Sequence, residues 1–364
     1  MDGVKIMHIS DLHLDSPVTG LDNQQRAVRR QELRQSFANA LELANARQVQ
    51  IVLLPGDLFD GASPDKSTVT FLQNIFEKYT EMHFFLSPGN HDPLSSGVYE
   101  AFRDIPQATV FDAAISCVEL PDWNVRVYGV GFAHAQQSLP LLQGFRAADD
   151  EMVNLMALHG ELMQGSSGES AYNPIFLRDI ANSGLDYLAL GHTHEFSGIL
   201  QEGDTHYAYC GAHEGRGFDE CGEKGVIIGT VGKKQVDLEF VPTCLRQYHR
   251  LAVDVSDCAT VEDVLEKIGA LTRERDLFRI ALTGRFDGAL SVPVLQNGTN
   301  AYFAKFVNET RPHYDLQAVA QDYTLKGLFA REILRRMEAA DGPQKAALLD
   351  AADLGMRLFE KGGV

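Results

Sequence analysis

The chain has 364 residues, 45% of them hydrophobic, which is enough for a large core and for more than one domain. Its 32 Lys and Arg stand against 50 Asp and Glu, a formal net charge of -18, which argues against a protein that wraps nucleic acid through its overall field. Any polyanion has to be met locally, by a metal centre or with the help of a basic partner.

The opening residues, MDGVKIMHIS, pass straight into an alternating apolar strand with no leader signature. No apolar run approaches the roughly 20 residues needed to cross a bilayer, so a cytoplasmic protein without a membrane partner is expected. The strand KIMHIS is followed by a helical run, RRQELRQSFANALELANARQ, then by IVLLPG, a second helical run STVTFLQNIFEKY, and MHFFLSPG. Alternation of apolar strands with amphipathic helices predicts a layered α/β sheet covered on both faces. A series of β patterns comes next: ISCVEL, VRVYGVGF, LMALHG, YLALGH, HYAYCG and GVIIGTV. There is no Gly-rich phosphate loop and no internal repeat. Beyond residues 240 to 250 the pattern becomes LAVDV, a helix TVEDVLEKIGALT, a strand FRIALTGRF, a further helical stretch and a strand near HYDLQAV. From Leu325 an apolar stripe of Leu325, Leu328, Phe329, Leu334 and Met337 marks a helical tail, broken at Gly342-Pro343. These shifts predict three segments: 1–245, an α+β domain over 246–324, and a helical tail over 325–364 that either packs on its own domain or docks a partner. The five cysteines (Cys117, Cys210, Cys221, Cys244, Cys258) are scattered, without a C-x-x-C pair. They indicate neither a disulfide framework nor a thiolate zinc site, and are expected to be buried thiols.

The unusual polar residues cluster just after apolar strands. MHISDLHLD supplies Asp11 and His13, LLPGDLFD supplies Asp57 and Asp60, and FFLSPGNHD supplies Asn90, His91 and Asp92; LMALHGE adds His159, and YLALGHTHE adds His192 and His194. Loops at strand ends of a layered α/β protein converge on one edge. Carboxylate, amide oxygen and imidazole donors together suit Mn²⁺, Fe²⁺ or Zn²⁺. Seven ligands exceed the needs of one ion, and a bridging Asp allows two. Singly, each motif has an ordinary reading as a helix cap, a turn or a core histidine. The ordered set D-x-H, GD-x-x-D, GNHD, HG, GH-x-H does not.

That set resembles the calcineurin-like metallophosphoesterases over roughly residues 5 to 240. Within them the first helix, GLDYLALGHTHE and EGRGFDECGEKGV are similar to the SbcD-type DNA-repair nucleases and their YhaO-like relatives. The resemblance implies a β-sandwich flanked by helices, followed by a small α+β capping domain and a helical tail. It also implies one metal held by Asp11, His13, Asp57 and His194 and a second held by Asp57, Asn90, His159 and His192. His91 is then the group that protonates the leaving oxygen, with Asp92 orienting it, and Asp60 a supporting residue. Two Mn²⁺ ions, DNA as substrate, an SbcC-like coiled-coil ATPase partner and a homodimer are implied in the same way. Alternatives are a small-molecule phosphodiesterase or phosphatase, and a scaffold with a vestigial site. YCGAHEG departs from the family at His213 and Glu214, which puts substrate contacts there in doubt. Arg26, Arg29, Arg30 and Arg34 are expected to form a solvated helix face paired with Glu32, the alternative being a strip that tracks a phosphate backbone.

Overall fold

The computed structural model describes residues 3–18, 20–61, 63–165 and 167–362. The chain divides into two compact units, Met1–Tyr248 and His249–Val364. In the first unit the strands are β1 (Val4–His8), β2 (Ile51–Leu54), β3 (His83–Leu86), β4 (Ala108–Val110), β5 (Ser116–Leu120), β6 (Val125–Val130) and β7 (Val153–His159). They continue with β8 (Glu161–Leu162), β9 (Pro174–Ile175), β10 (Tyr187–Gly191), β11 (Leu200–Glu202), β12 (Thr205–Tyr209), β13 (Gly225–Gly232) and β14 (Gln235–Pro242). Its helices are α1 (Asn23–Ala46), α2 (Lys66–Lys78) and α3 (Leu177–Asn182).

Two six-stranded sheets form, ordered β14-β13-β1-β2-β3-β4 and β11-β12-β10-β7-β6-β5. Strands β1 to β4 run parallel to one another, as do β6, β7, β10 and β12. Because side chains alternate along a strand, one parity of each sheet builds the layer between them: Ile6, Ile51, Leu53 and Phe85 meet Val127, Leu155, Ala157 and Ala189. The other parity of the first sheet, Met7, Val52, Leu54, Phe84 and Leu86, packs with Leu33, Phe37 and Leu41 of α1 and Leu72 and Phe76 of α2. On the second sheet Met156, Leu158, Leu188 and Leu190 pack with Leu142, Ile175 and Ile180. Burial on both faces is why IVLL needs no polar alternation. The sheet read from the sequence is thus covered by helices on one face and by a second sheet on the other.

Helix α1 starts at Asn23, ahead of the expected Arg29, because Asp22 and Gln25 form a capping box. Its arginines do not form one solvated face. Arg26 and Arg30 are exposed, but Arg29 is buried. It pairs with Glu32 and donates from Nη2 to Glu214 Oε1 at 2.7 Å and to the Gly215 carbonyl at 2.8 Å. Glu214 also accepts the Leu245 and Arg246 N–H groups, and His213 Nε2 lies 2.9 Å from the Leu33 carbonyl. The departure at His213-Glu214 therefore fastens α1 to the chain behind β12.

Strand β15 (Tyr248–Asp254) starts on the last residue of the first unit, and the second unit continues with α4 (Val261–Leu271), β16 (Leu277–Thr283), α5 (Val292–Gly298), β17 (Phe303–Asn308), α6 (Leu316–Val319), α7 (Leu325–Glu338) and α8 (Gly342–Gly362). The strand expected near HYDLQAV lies earlier, at β17, where Ala304 and Phe306 turn into the core beside Ile280 and Leu282. Within HYDLQAV the last four residues form α6, because Asp315 caps it, accepting the Ala318 N–H. In the tail, Phe329, Leu334 and Met337 pack with Leu316, Ala352 and Met356, whereas Leu325 and Leu328 are 60% and 57% exposed. Buried Asp353 of α8 accepts from Arg285 at 2.6 Å. Of the cysteines only Cys210 is buried; Cys117 lies exposed on edge strand β5.

Arg29→Ala strands Glu214 in the interior with backbone donors alone. Breaking a buried pair from one side costs about 3–5 kcal/mol, so urea denaturation should register a loss of that size. Arg30→Ala, exposed on the same helix, should stay within about 0.5 kcal/mol of the parent.

Candidate metal centre

The polar motifs meet where the strands of both sheets end. Asp11 follows β1, Asp57 follows β2, Asn90 follows β3, His159 closes β7 and His192 follows β10. Packing these ends so closely leaves no room for side chains at the glycines before Asn90 and His192. A Cβ on Gly89 would lie 2.2 Å from Asp57 Oδ1, and one on Gly191 would lie 1.8 Å from the Pro55 carbonyl oxygen. The ligand positions themselves turn sharply: Asp11, His13, Asp57 and His192 have φ of 52°, 42°, 52° and 110°. Non-glycine residues with such backbone cost on the order of 1–3 kcal/mol each and persist only where surroundings over-determine them. Here they are fixed by Asp11 N–H to the Gly56 carbonyl, His13 N–H to the Asp57 carbonyl, and His192 N–H to Asp11 Oδ1 at 2.9 Å.

All seven candidate ligands converge. Donor atoms of Asp11, His13 and His194 lie within 4.8 Å of one another, as do those of Asp11, Asp57 and His159. Asp57 Oδ2 is 3.6 Å from His13 Nε2 and 3.5 Å from His159 Nε2, so it sits between the two groups. Asn90 Oδ1 is 2.8 Å from His159 Nε2 and 3.2 Å from His192 Nδ1. The outer nitrogen of three imidazoles is already engaged: His13 Nδ1 by Asp60 at 3.0 Å, His159 Nδ1 by the Pro55 carbonyl at 3.0 Å, His194 Nδ1 by Glu220 at 2.8 Å. For His13 and His159 the acceptor on Nδ1 places the proton there and leaves Nε2 as a lone pair aimed inward; His194 Nδ1 also meets Arg216 Nη2 at 3.0 Å. The Nε2 atoms of His13 and His194 lie 3.1 Å apart.

Burial shapes the protonation states. It pushes Asp11 up to about 6 and Asp57 up to about 7, and it lowers His13 to about 3 and His192 to about 4. Neutral imidazoles and carboxylates short of counter-charge are the donor set that a divalent cation satisfies. Asp60 is held well below the usual carboxylate range by its hydrogen bonds to His13 and His91. The residues present therefore fit two ions sharing Asp57.

His91 is exposed at the rim; its N–H donates to Asp57 Oδ1 at 2.9 Å, and its Nδ1 lies 3.1 Å from Asp60 Oδ1. Asp92 does not face the His91 ring. It is buried, accepting from the N–H groups of Phe59 and Gly89 and from the Tyr99 hydroxyl, so it clamps the loop, and Asp60 takes the orienting position expected of it. Sequence reading did not single out Arg216 and Glu220. They lie in EGRGFDECGEKGV, far from any strand-end motif, and only the fold returns them to His194.

The profile of the family described as calcineurin-like phosphoesterase matches residues 4–196. The chain is 29% identical over 280 residues to the metallophosphoesterase YhaO of Bacillus subtilis, covering 72% of this chain and 67% of that protein. It is 25% identical over 301 residues to the DNA double-strand break repair protein Mre11 of Thermoplasma acidophilum, covering 76% and 75%. With the SbcD polypeptide of the SbcCD nuclease of Escherichia coli K12 it shares 24% identity over 266 residues, covering 62% and 64%.

Asp11 and Asp57 must shed protons to bind a cation, while the lowered imidazoles are already neutral. Affinity for a divalent ion should accordingly rise between about pH 5 and pH 8, with proton release visible as buffer-dependent heats in titration calorimetry. An affinity flat across that range would remove both carboxylates from the coordination sphere.

Proposed function

Since the chain belongs to the calcineurin-like phosphoesterase family, we propose that it is a two-metal phosphodiesterase that cleaves DNA, as the nuclease subunit of a complex with a coiled-coil ATPase. The observation that carries the reading is the convergence of Asp11, His13, Asp57, Asn90, His159, His192 and His194 at one sheet edge, with Asp57 between two donor groups. Asp11, His13, Asp57 and His194 hold one ion, and Asp57, Asn90, His159 and His192 the other; Mn²⁺ suits these oxygen and imidazole donors. Such a pair polarises phosphoryl oxygens and lowers the pKa of a bound water.

The chain's own groups do the rest. Asp60 accepts from His91 Nδ1, which turns His91 Nε2 outward, and that contact raises the His91 pKa against the opposing pull of burial. His91 is thus a proton carrier at the rim, placed to protonate the leaving oxygen. Asp92 holds the loop that carries it.

DNA as the substrate is supported by two relatives whose names state DNA repair or nuclease roles, and by similarity to Mre11 that covers 76% of the chain, more than the first unit contains. Exposed Leu325 and Leu328 on α7 offer an apolar edge for the ATPase, and cytoplasmic placement accords with such a complex. The net charge of -18 favours a second reading, a small phosphodiester.

The test is a substrate panel of single-stranded DNA, duplex ends, cyclic nucleotides and a nitrophenyl diester, with Mn²⁺ or with chelator. DNA cleavage that chelator abolishes and Asp57→Asn eliminates is the expected outcome; turnover of small diesters alone would transfer the assignment to the second reading.

Losing the acid should cost about 10² to 10⁴-fold. His91→Ala is expected to lose that much on DNA, keep its metals, and lose far less on the nitrophenyl diester, whose leaving group needs no proton. Equal losses on both substrates would rule out proton donation.

A further inference from the structure

His194 Nδ1 faces two groups that make opposite demands on it. Glu220 Oε1 lies 2.8 Å away and, as a carboxylate, only accepts. Arg216 Nη2 lies 3.0 Å away and, as a guanidinium, only donates. A contact to Glu220 requires the proton on Nδ1 and leaves Nε2 free. A contact to Arg216 requires a bare Nδ1, which puts the proton on Nε2, the nitrogen directed at His13 Nε2.

The arrangement around the two groups decides which demand prevails. Arg216 is drawn onto Glu220 by its Nε at 3.1 and 3.3 Å, by Nη2, and by its own backbone N–H at 2.9 Å to Oε2. Its Nη1 is 3.7 Å from Asp60, the carboxylate on His13. Lys224 Nζ meanwhile pins the His194 carbonyl at 2.9 Å. Both side chains are mostly enclosed, at 14% and 7% exposure for Arg216 and Glu220.

We infer that Glu220, restrained by Arg216, is the positioning residue that selects the Nδ1–H tautomer of His194 and so keeps Nε2 available as a metal donor. Without Glu220, Arg216 takes over Nδ1 and switches the ring to the tautomer that cannot coordinate through Nε2. Removing Arg216 as well lifts that block. This rests on the ligand assignment proposed above.

Calorimetric titration of the full chain with Mn²⁺ tests it through binding alone. Partners of this kind commonly govern metal affinity by about 10 to 100-fold. Glu220→Ala should weaken one of the two binding events by that factor and spare the other, and Glu220→Ala/Arg216→Met should recover most of the loss. A role confined to holding the fold predicts no recovery, because the double variant lacks both partners. The inference is overturned if Glu220→Ala binds both ions like the parent, if the double variant binds no better than the single, or if both events weaken together with loss of the near-ultraviolet dichroism. Asp57→Asn in parallel separates the two readings. If it retains both ions, the ligand assignment itself fails and this inference with it; if it loses them while the Glu220 variants match the parent, only this inference fails.

Discussion

The first unit is organised around the cost of burying Asp11 and Asp57 side by side at the end of a sheet. Two carboxylates taken out of water without counter-charge raise their own pKa values and repel each other. Each is therefore wrapped in donors: Asp11 by Ser10 Oγ and the His192 N–H, Asp57 by the His91 N–H. A cation pair bound at the candidate ligands would complete what these hydrogen bonds begin.

Holding that arrangement takes rigidity on both sides. The layer of Ile6, Ile51, Leu53 and Phe85 against Leu155, Ala157 and Ala189 sets the spacing of the sheets, and so the distance from β1 and β2 to β7 and β10. Interiors packed at crystal density deform little, which allows four candidate ligand positions to keep left-handed or otherwise unfavourable backbone. Outside the candidate ligands lie two carboxylates and a carbonyl: Asp60 engages Nδ1 of both His13 and His91, Glu220 that of His194, and the Pro55 oxygen that of His159. Arg216 lies between Glu220 and Asp60, so the two carboxylates flank one cation and do not oppose each other.

The segment after β12 links this site to the rest of the unit. From His213 to Lys224 it passes from the Arg29 pair on α1, through Arg216 and Glu220, to the lysine that holds the His194 carbonyl. A single stretch thus anchors the longest helix of the unit and orients a candidate ligand. Its Glu214 is tied to the buried Arg29 of α1, and its Arg216, Glu220 and Lys224 all touch the candidate ligand His194.

The candidate ligands were legible because their chemistry is local: each follows an apolar strand, and a Gly immediately precedes Asp57, Asn90 and His192 because strand ends packed this closely leave no room for a Cβ. In the first unit β1–β3, β5–β7, β10, β12 and β13 and the helices α1 and α2 followed from periodicity, the long first helix lacking only its true start at the Asp22 cap, whereas the short β4, β8, β9, β11 and α3 and the hairpin strand β14 were not read. Other features depended on which surfaces meet. Arg29 reads as solvated from its helical neighbours and is buried only because Glu214 arrives from a distant loop. Asp92 reads as the partner of His91 by adjacency, yet the fold turns it to Phe59 and Tyr99 and brings Asp60 to the ring. The strand at Phe303–Asn308 carries too short an alternation to stand out until Ile280 and Leu282 lie beside it. The sequence by itself determined which donor groups are available and on which edge they gather, since donor chemistry and strand period are properties of neighbouring residues. Only the tertiary structure decided how each imidazole is oriented and which charge neutralises which, because those contacts join residues far apart in the chain.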